Sequence, residues 1–184
     1  STLNEELLLE FMLARATSTE ERTLLLQHAI DGIVGTFYNQ VVFADYELEA
    51  HRMVERDEPV TADALGQLYT RTVEAYWGDA IARDERTAWT WARIPHFFQS
   101  PYYVYQYATC MASTAALMDA VGSDDAARRD DGVRRYLDLL RAGGSDHPMA
   151  LLKQAGVDLA EPTAIRALVS RFDRLVTELE TALG

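Results

Sequence analysis

Apolar residues recur at three- and four-residue steps along nearly the whole chain, and that spacing restricts the fold to helices packed on helices. Leu3, Leu7, Phe11 and Ala14 open the pattern on one face. In "TSTEERTLL", Ser18 and Glu21 stand as a capping box, which satisfies free amide donors at a helix N-terminus and starts a second, long helix. Its stripe runs through Leu24, His28, Val34, Phe37, Val41, Ala44 and Leu48 until Pro59 ends it. Gly32 and Gly35 weaken the middle of this helix and predict a bend or a close helix contact there. Thr61 caps a third helix that reaches Trp77, with Gly78 as its expected left-handed stop.

Residues 79 to 101 hold Trp89, Trp91, Pro95 and Pro101 without a period, which predicts a loop with at most a short strand or turn. Helical spacing resumes from Tyr102 to Val121, in "DGVRRYLDLLRAGG", and in "HPMALLKQAG" with Pro148 near its first turn. It closes the chain in "EPTAIRALVSRFDRLVTELETAL", with Pro162 at a first-turn position. No repeat or low-complexity linker interrupts. The expectation is an all-α fold, a single helical unit over residues 1–184.

Charge narrows the choice of partners. The 184 residues carry a formal charge of -12, which repels nucleic-acid phosphates and anionic membrane surfaces at close range. Neither nucleic acid nor membrane is therefore an expected partner. No apolar run is long enough to span a bilayer, and no basic start leads into an apolar stretch as in a secretory signal. One cysteine, Cys110, excludes an intrachain disulfide and a cysteine-rich zinc site, and suits a cytoplasmic location. It sits beside Met111 and reads as a small core residue. The first residue is Ser1 and helical spacing begins at once, so the start reads as cut from a longer protein.

Four histidines are the first candidates for metal binding or proton transfer. His28 lies on the apolar stripe and His147 precedes a proline at a helix start; both read as packing or capping residues. Glu47 and His51, four apart, share a helix face, where a carboxylate and an imidazole either pair with each other or begin a divalent-ion site. Two ligands do not make a site, and no set of metal ligands emerges from the spacing.

His96 lies in "RIPHFFQSPYYVYQYATC", residues 93 to 110, with Tyr102, Tyr103, Tyr105 and Tyr107. If residues from 102 are helical, Tyr102 and Tyr105 share one face, while Tyr103 and Tyr107 share another. Phenols beside an imidazole can hydrogen-bond a developing oxyanion. They can equally form a core seam whose hydroxyls find backbone partners. No nucleophile elbow, phosphate-binding glycine loop, dinucleotide fingerprint or HExxH pair occurs.

The same segment closely resembles the run near the C-terminus of the oligoendopeptidase F group of M3 metallopeptidases. Further stretches follow in the family's order. "STLNEELLLEFML" is similar to the helix after the last zinc ligand, and "TFYNQVVFADYELEAHRM" to the FRQTMFAEFE-type segment. "YLDLLRAGGSDHPMALLKQAGVDL" resembles a further family stretch, so the resemblance covers essentially the whole chain. It implies the helical C-terminal portion of a zincin-type M3 peptidase catalytic domain, a zinc enzyme that cuts short oligopeptides.

In that family an HExxH helix supplies two zinc-binding histidines and a glutamate base, and a later glutamate is the third ligand. The resemblance places all of these upstream of Ser1, so the isolated chain is expected to be inactive without the remainder of the peptidase chain. It assigns His96 and Tyr105 to the catalytic machinery, as donors to substrate backbone and to the tetrahedral oxyanion, with Tyr102 and Tyr103 as substrate-binding neighbours. Glu5 would support the zinc ligands from behind without touching the metal. Phe98 departs from the family pattern, which often has tyrosine there, and a phenyl ring donates no hydrogen bond. A non-catalytic helical peptide-binding or interaction module of the same fold is the alternative. A small metal-binding protein built on Glu47 and His51 is a more distant one.

Overall fold

The structure, a computed structural model, describes residues 1–82 and 84–184. Every regular element among the described residues is helical. In chain order these are α1 (Thr2–Leu13), α2 (Thr19–Ile33), α3 (Asn39–Glu55), α4 (Ala62–Trp77), α5 (His96–Gln99), α6 (Tyr105–Val121), α7 (Ala126–Ala142), α8 (Pro148–Gln154) and α9 (Thr163–Leu183). A π-helical turn over Val34–Tyr38 joins α2 to α3, and a 3-10 helix covers Glu85–Arg93. Among the described residues no helix is long and apolar enough to cross a membrane.

The local signals that start and stop helices operate as chemistry demands. Ser18 Oγ accepts the Glu21 amide at 3.1 Å, and the Glu21 carboxylate reaches back to the Thr17 amide at 3.2 Å, one residue beyond the N-cap itself. Thr61 Oγ1 accepts the Ala64 amide at 3.2 Å. Gly78 ends α4 at φ 50°, a backbone conformation that side chains disfavour. The weak middle marked by Gly32 and Gly35 is where the long helix widens into the π-helical turn, with the extra residue absorbed there.

Two expectations about local structure are corrected. Residues 79–101 hold the 3-10 helix and α5 instead of a plain loop, because Asp84 supplies a cap: its Oδ1 accepts the Arg86 amide at 2.8 Å, while Thr87 Oγ1 accepts the Asp84 amide at 3.2 Å. Helical structure does not resume at Tyr102. That residue occupies a turn at φ 57°, and α6 begins only at Tyr105.

Internal packing divides residues 1–184 into two compact units. One comprises Ser1–Phe37 and Thr109–Gly184, the other Tyr38–Ala108. In the first, α2 packs along α9, α1 against α2, and α7 against α8. Leu3, Leu9 and Leu13 of α1 are buried, as are Leu26, Ala29, Ile30 and Ile33 of α2 and Ala164, Leu168 and Leu175 of α9. The stripe expected on α2 is therefore rotated, because its contact with α9 selects the neighbouring face: Leu24 and His28 are exposed. Phe11 is exposed too, with the Arg15 guanidinium 3.6 Å from its ring centroid. Cys110 is exposed instead of buried, its sulfur 3.7 Å from Thr2 Oγ1.

Charge ties this unit as well as apolar packing does. Arg171 of α9, 8% exposed, pairs with Glu6 of α1 and donates from Nη1 to Glu10 Oε1 at 2.9 Å. The Nη2 contact with Glu6 is an ion pair out of hydrogen-bonding alignment. Arg22 of α2 meets Glu178 of α9 at 2.5 Å nearer the surface. At Gly132 of α7 an added Cβ would come 2.9 Å from the Ala120 carbonyl carbon, so only glycine permits this approach to α6.

In the second unit α3 and α4 pack together, and the 3-10 helix lies on α4. Val42, Tyr46 and Met53 of α3 form a core with Leu68, Tyr69 and Val73 of α4; Phe43, Trp91 and Phe97 pack around it. The Tyr46 ring meets Tyr69 edge-on at 5.3 Å and Phe97 at 5.2 Å. This aromatic core anchors α5 and thereby the segment that follows it.

Candidate functional site

His96 is the first residue of α5 and follows Pro95, whose fixed φ suits a helix start. Phe97 points into the aromatic core, meeting Phe43 edge-on at 5.9 Å. That anchorage leaves His96 half-buried at the edge of the unit. Its imidazole lies parallel to the Tyr103 ring, 3° between planes at 5.5 Å, and nearly perpendicular to the Tyr107 ring at 5.7 Å. His96 Nε2 and the Tyr107 hydroxyl are 3.2 Å apart. Tyr103 and Tyr107 close the triangle edge-on at 5.3 Å.

Tyr103 and Tyr107 do meet, although Tyr103 precedes α6 and so shares no helix face with Tyr107, the arrangement expected had the helix begun at Tyr102. Desolvation, followed by a hydrogen bond and charge coupling with Tyr103, pushes the Tyr107 phenol above the ordinary tyrosine range.

Tyr102 is held by a different pair. Its amide donates to Glu47 Oε1 at 2.9 Å, and its ring lies on His51 with centroids 4.5 Å apart. Glu47, 4% exposed, spends its carboxylate on this contact and not on His51. The His51 Nδ1 bonds the Glu47 carbonyl at 2.8 Å. Because a carbonyl only accepts, Nδ1 carries the proton. The two residues considered for a divalent ion thus support a turn in which a non-glycine residue sits at φ 57°. Strain of this kind persists only where the surroundings hold it.

Tyr105, the first residue of α6, is 51% exposed, and its hydroxyl has no partner among the described residues. Glu5 lies on α1 in the other unit, exposed, and its carboxylate has no partner among the described residues. The unit of Tyr38–Ala108 therefore brings His96 together with Tyr103, and Tyr102 with Glu47 and His51. Tyr105 stands free nearby in sequence. Phe98 is exposed and borders an apolar recess of about 200 Å³ with Tyr46, His51, Trp91 and Phe97. The buried Trp91 Nε1 has no hydrogen-bond partner among the described residues.

Sequence reasoning passed over Tyr107 and Glu47 as parts of this site. The signal for Tyr107 was its four-residue step from Tyr103; nothing local signalled that Glu47 reaches Tyr102.

Among the described residues no three His, Cys, Asp or Glu side chains are grouped so as to hold a metal ion. The residues present do not fit a zinc centre. What they offer is imidazole and phenol hydrogen-bonding groups set among aromatic rings.

The sequence profile of peptidase family M3 matches residues 1–169. The chain belongs to peptidase family M3. M3 relatives align over its full length: it is 36% identical to the oligopeptidase PepF of Bacillus subtilis over 183 residues, covering 100% of this chain and 27% of that protein. It is 34% identical to the plasmid oligoendopeptidase F of Lactococcus lactis subsp. cremoris, covering 98% of this chain and 29% of the relative. The crystal structure of oligoendopeptidase-F from Enterococcus faecium superposes with a TM-score of 0.89 at 32% identity, covering 100% of this chain and 35% of that one. The all-helical fold expected of an M3 peptidase portion is thus the fold observed. The M3 chain described here spans less than a third of the length of these two relatives.

Proposed function

We propose that residues 1–184 are the C-terminal portion of the catalytic domain of a cytoplasmic, zinc-dependent metalloendopeptidase that hydrolyses short oligopeptides. In this reading the chain supplies the substrate-binding and oxyanion side of the cleft. His96 and Tyr105 donate hydrogen bonds to the scissile carbonyl oxygen as negative charge develops on it, while Tyr102 and Tyr103 bind the peptide. Preorganised donors aimed at such an oxygen stabilise the transition state more than the ground state. Zinc is assigned to residues of the longer protein, with Glu5 behind its ligands, and the chain by itself is inactive.

The observation that carries this reading is the half-buried His96 imidazole set against Tyr103 and Tyr107 on an aromatic-anchored segment that also bears Tyr102 and Tyr105. Membership of the M3 family supports a peptide as what that segment binds, and the oligopeptidase names of its relatives support a short one.

The test is steady-state turnover of a short fluorogenic peptide by the full-length protein. His96→Ala is expected to lower kcat about 10²–10³-fold, the usual effect of losing one oxyanion donor, with zinc content unchanged. An unaltered kcat removes His96 from the chemistry. Peptide binding without turnover by the unaltered protein favours the non-catalytic module.

A further inference from the structure

The contact between His96 and Tyr107 carries more than a packing role. An imidazole has two nitrogens in its plane, and a neutral one carries its proton on one or the other. Here Nε2 is engaged by the Tyr107 hydroxyl at 3.2 Å, and Nδ1 has no partner among the described residues. The ring is restrained in both senses, by the parallel Tyr103 across its face and by Tyr107 at its edge. A nitrogen that donates to an oxyanion must bear a hydrogen. If that nitrogen is Nδ1, Nε2 is the lone-pair atom and Tyr107 must be the donor.

We infer that Tyr107 is a positioning residue: its O–H donates to Nε2 of His96, holds the imidazole in the Nδ1–H tautomer, and so leaves Nδ1–H as the donor to the substrate carbonyl. This rests on the role proposed for His96 above. Tyr107 can play this part because a phenol has one hydrogen to donate and its oxygen lies 3.2 Å from Nε2. Tyr103 contributes the stacked ring that keeps the imidazole from rotating out of line. An isolated imidazole favours the opposite tautomer, so the Tyr107 contact has a measurable effect to exert.

The experiment uses full-length protein labelled with ¹⁵N-histidine, with His96 assigned by loss of its signals in His96→Ala. The unaltered protein is expected to show His96 protonated at Nδ1, a result that depends on no variant folding. In Tyr107→Phe, with unchanged Tm and circular dichroism, the signal is expected to move toward the Nε2–H tautomer. There kcat falls about tenfold while KM changes less than about twofold, as for a lost interaction of hydrogen-bond size made in the transition state. An Nε2–H tautomer in the unaltered protein overturns the inference. So does a Tyr107→Phe variant that keeps both tautomer and kcat while His96→Ala lowers kcat, and then the role of His96 survives. If His96→Ala leaves kcat unchanged, the underlying reading and this inference fail together.

Discussion

The two units solve opposite problems with the same helical material. In the unit of Ser1–Phe37 and Thr109–Gly184, polar side chains serve helix–helix attachment: Arg171 joins α9 to α1 through Glu6 and Glu10, and Arg22 joins α2 to α9. In the unit of Tyr38–Ala108, the buried carboxylate of Glu47 serves a strained turn at Tyr102, and a phenol serves an imidazole. The first arrangement lowers the energy of regular structure; the second holds irregular structure in one shape. Substitutions at these ion pairs of the first unit should therefore act on stability and leave chemistry alone, and substitutions around the Tyr102–Tyr107 segment should act on chemistry.

The largest expected effect on stability tests the first half of that contrast. Arg171→Ala leaves the Glu6 carboxylate, itself 12% exposed, without its charge partner. Removing one member of a buried ion pair destabilises by about 3–5 kcal/mol, because the remaining charge stays desolvated. Chemical denaturation of the full-length protein should show a loss of that size, with kcat per folded molecule unchanged. A fall in kcat at constant stability would break the division of labour. Arg171→Met is expected to cost less than Arg171→Ala in the same assay, since it keeps the packed stem of the side chain.

A smaller effect is expected at Glu47, and it should appear in both readouts. Glu47→Ala removes the acceptor for the Tyr102 amide and should destabilise by about 1–3 kcal/mol. Because the turn then relaxes, KM for peptide should rise as well. A change in stability alone would mean that the φ 57° turn at Tyr102 is a by-product of packing and not part of peptide binding.

How much of this was legible depends on how local the cause is. Helix starts at Ser18 and Thr61 and stops at Gly78 are set within four residues, and they stand where the sequence places them. The phase of α2 was misread because Leu24 and Leu26 both satisfy helical spacing, and only α9, far along the chain, selects the face that is buried. The capped 3-10 helix was missed because Asp84 and Thr87 precede a stretch with no apolar period. At the candidate site, His96, Tyr102, Tyr103 and Tyr105 could be named from a dense aromatic run. The left-handed turn at Tyr102 could not, since it depends on a carboxylate fifty-five positions away. Tyr107 was noticed beside Tyr103 but given no role, because the sequence shows its step from Tyr103 and not its contact with His96.

The smallest prediction sharpens the contrast from the structural side. Ser18 caps α2 by accepting the Glu21 amide, and replacement of a capping serine by alanine destabilises by about 1 kcal/mol. Glu21 contributes through the Thr17 amide at 3.2 Å, an exposed hydrogen bond that a glutamine can reproduce without its charge. Glu21→Gln should therefore shift stability by less than Ser18→Ala, the residual loss coming from the carboxylate's favourable position in the first turn of α2. Both variants should leave kcat and KM of the full-length protein unaltered, since α2 packs on α9 and α1 within its own unit, while the ring contacts of His96 come from Tyr103 and Tyr107. If Ser18→Ala instead changes kcat by as much as Tyr107→Phe does, the helices of the first unit transmit their stability to the chemistry, and regular and irregular regions cannot be assigned separate tasks.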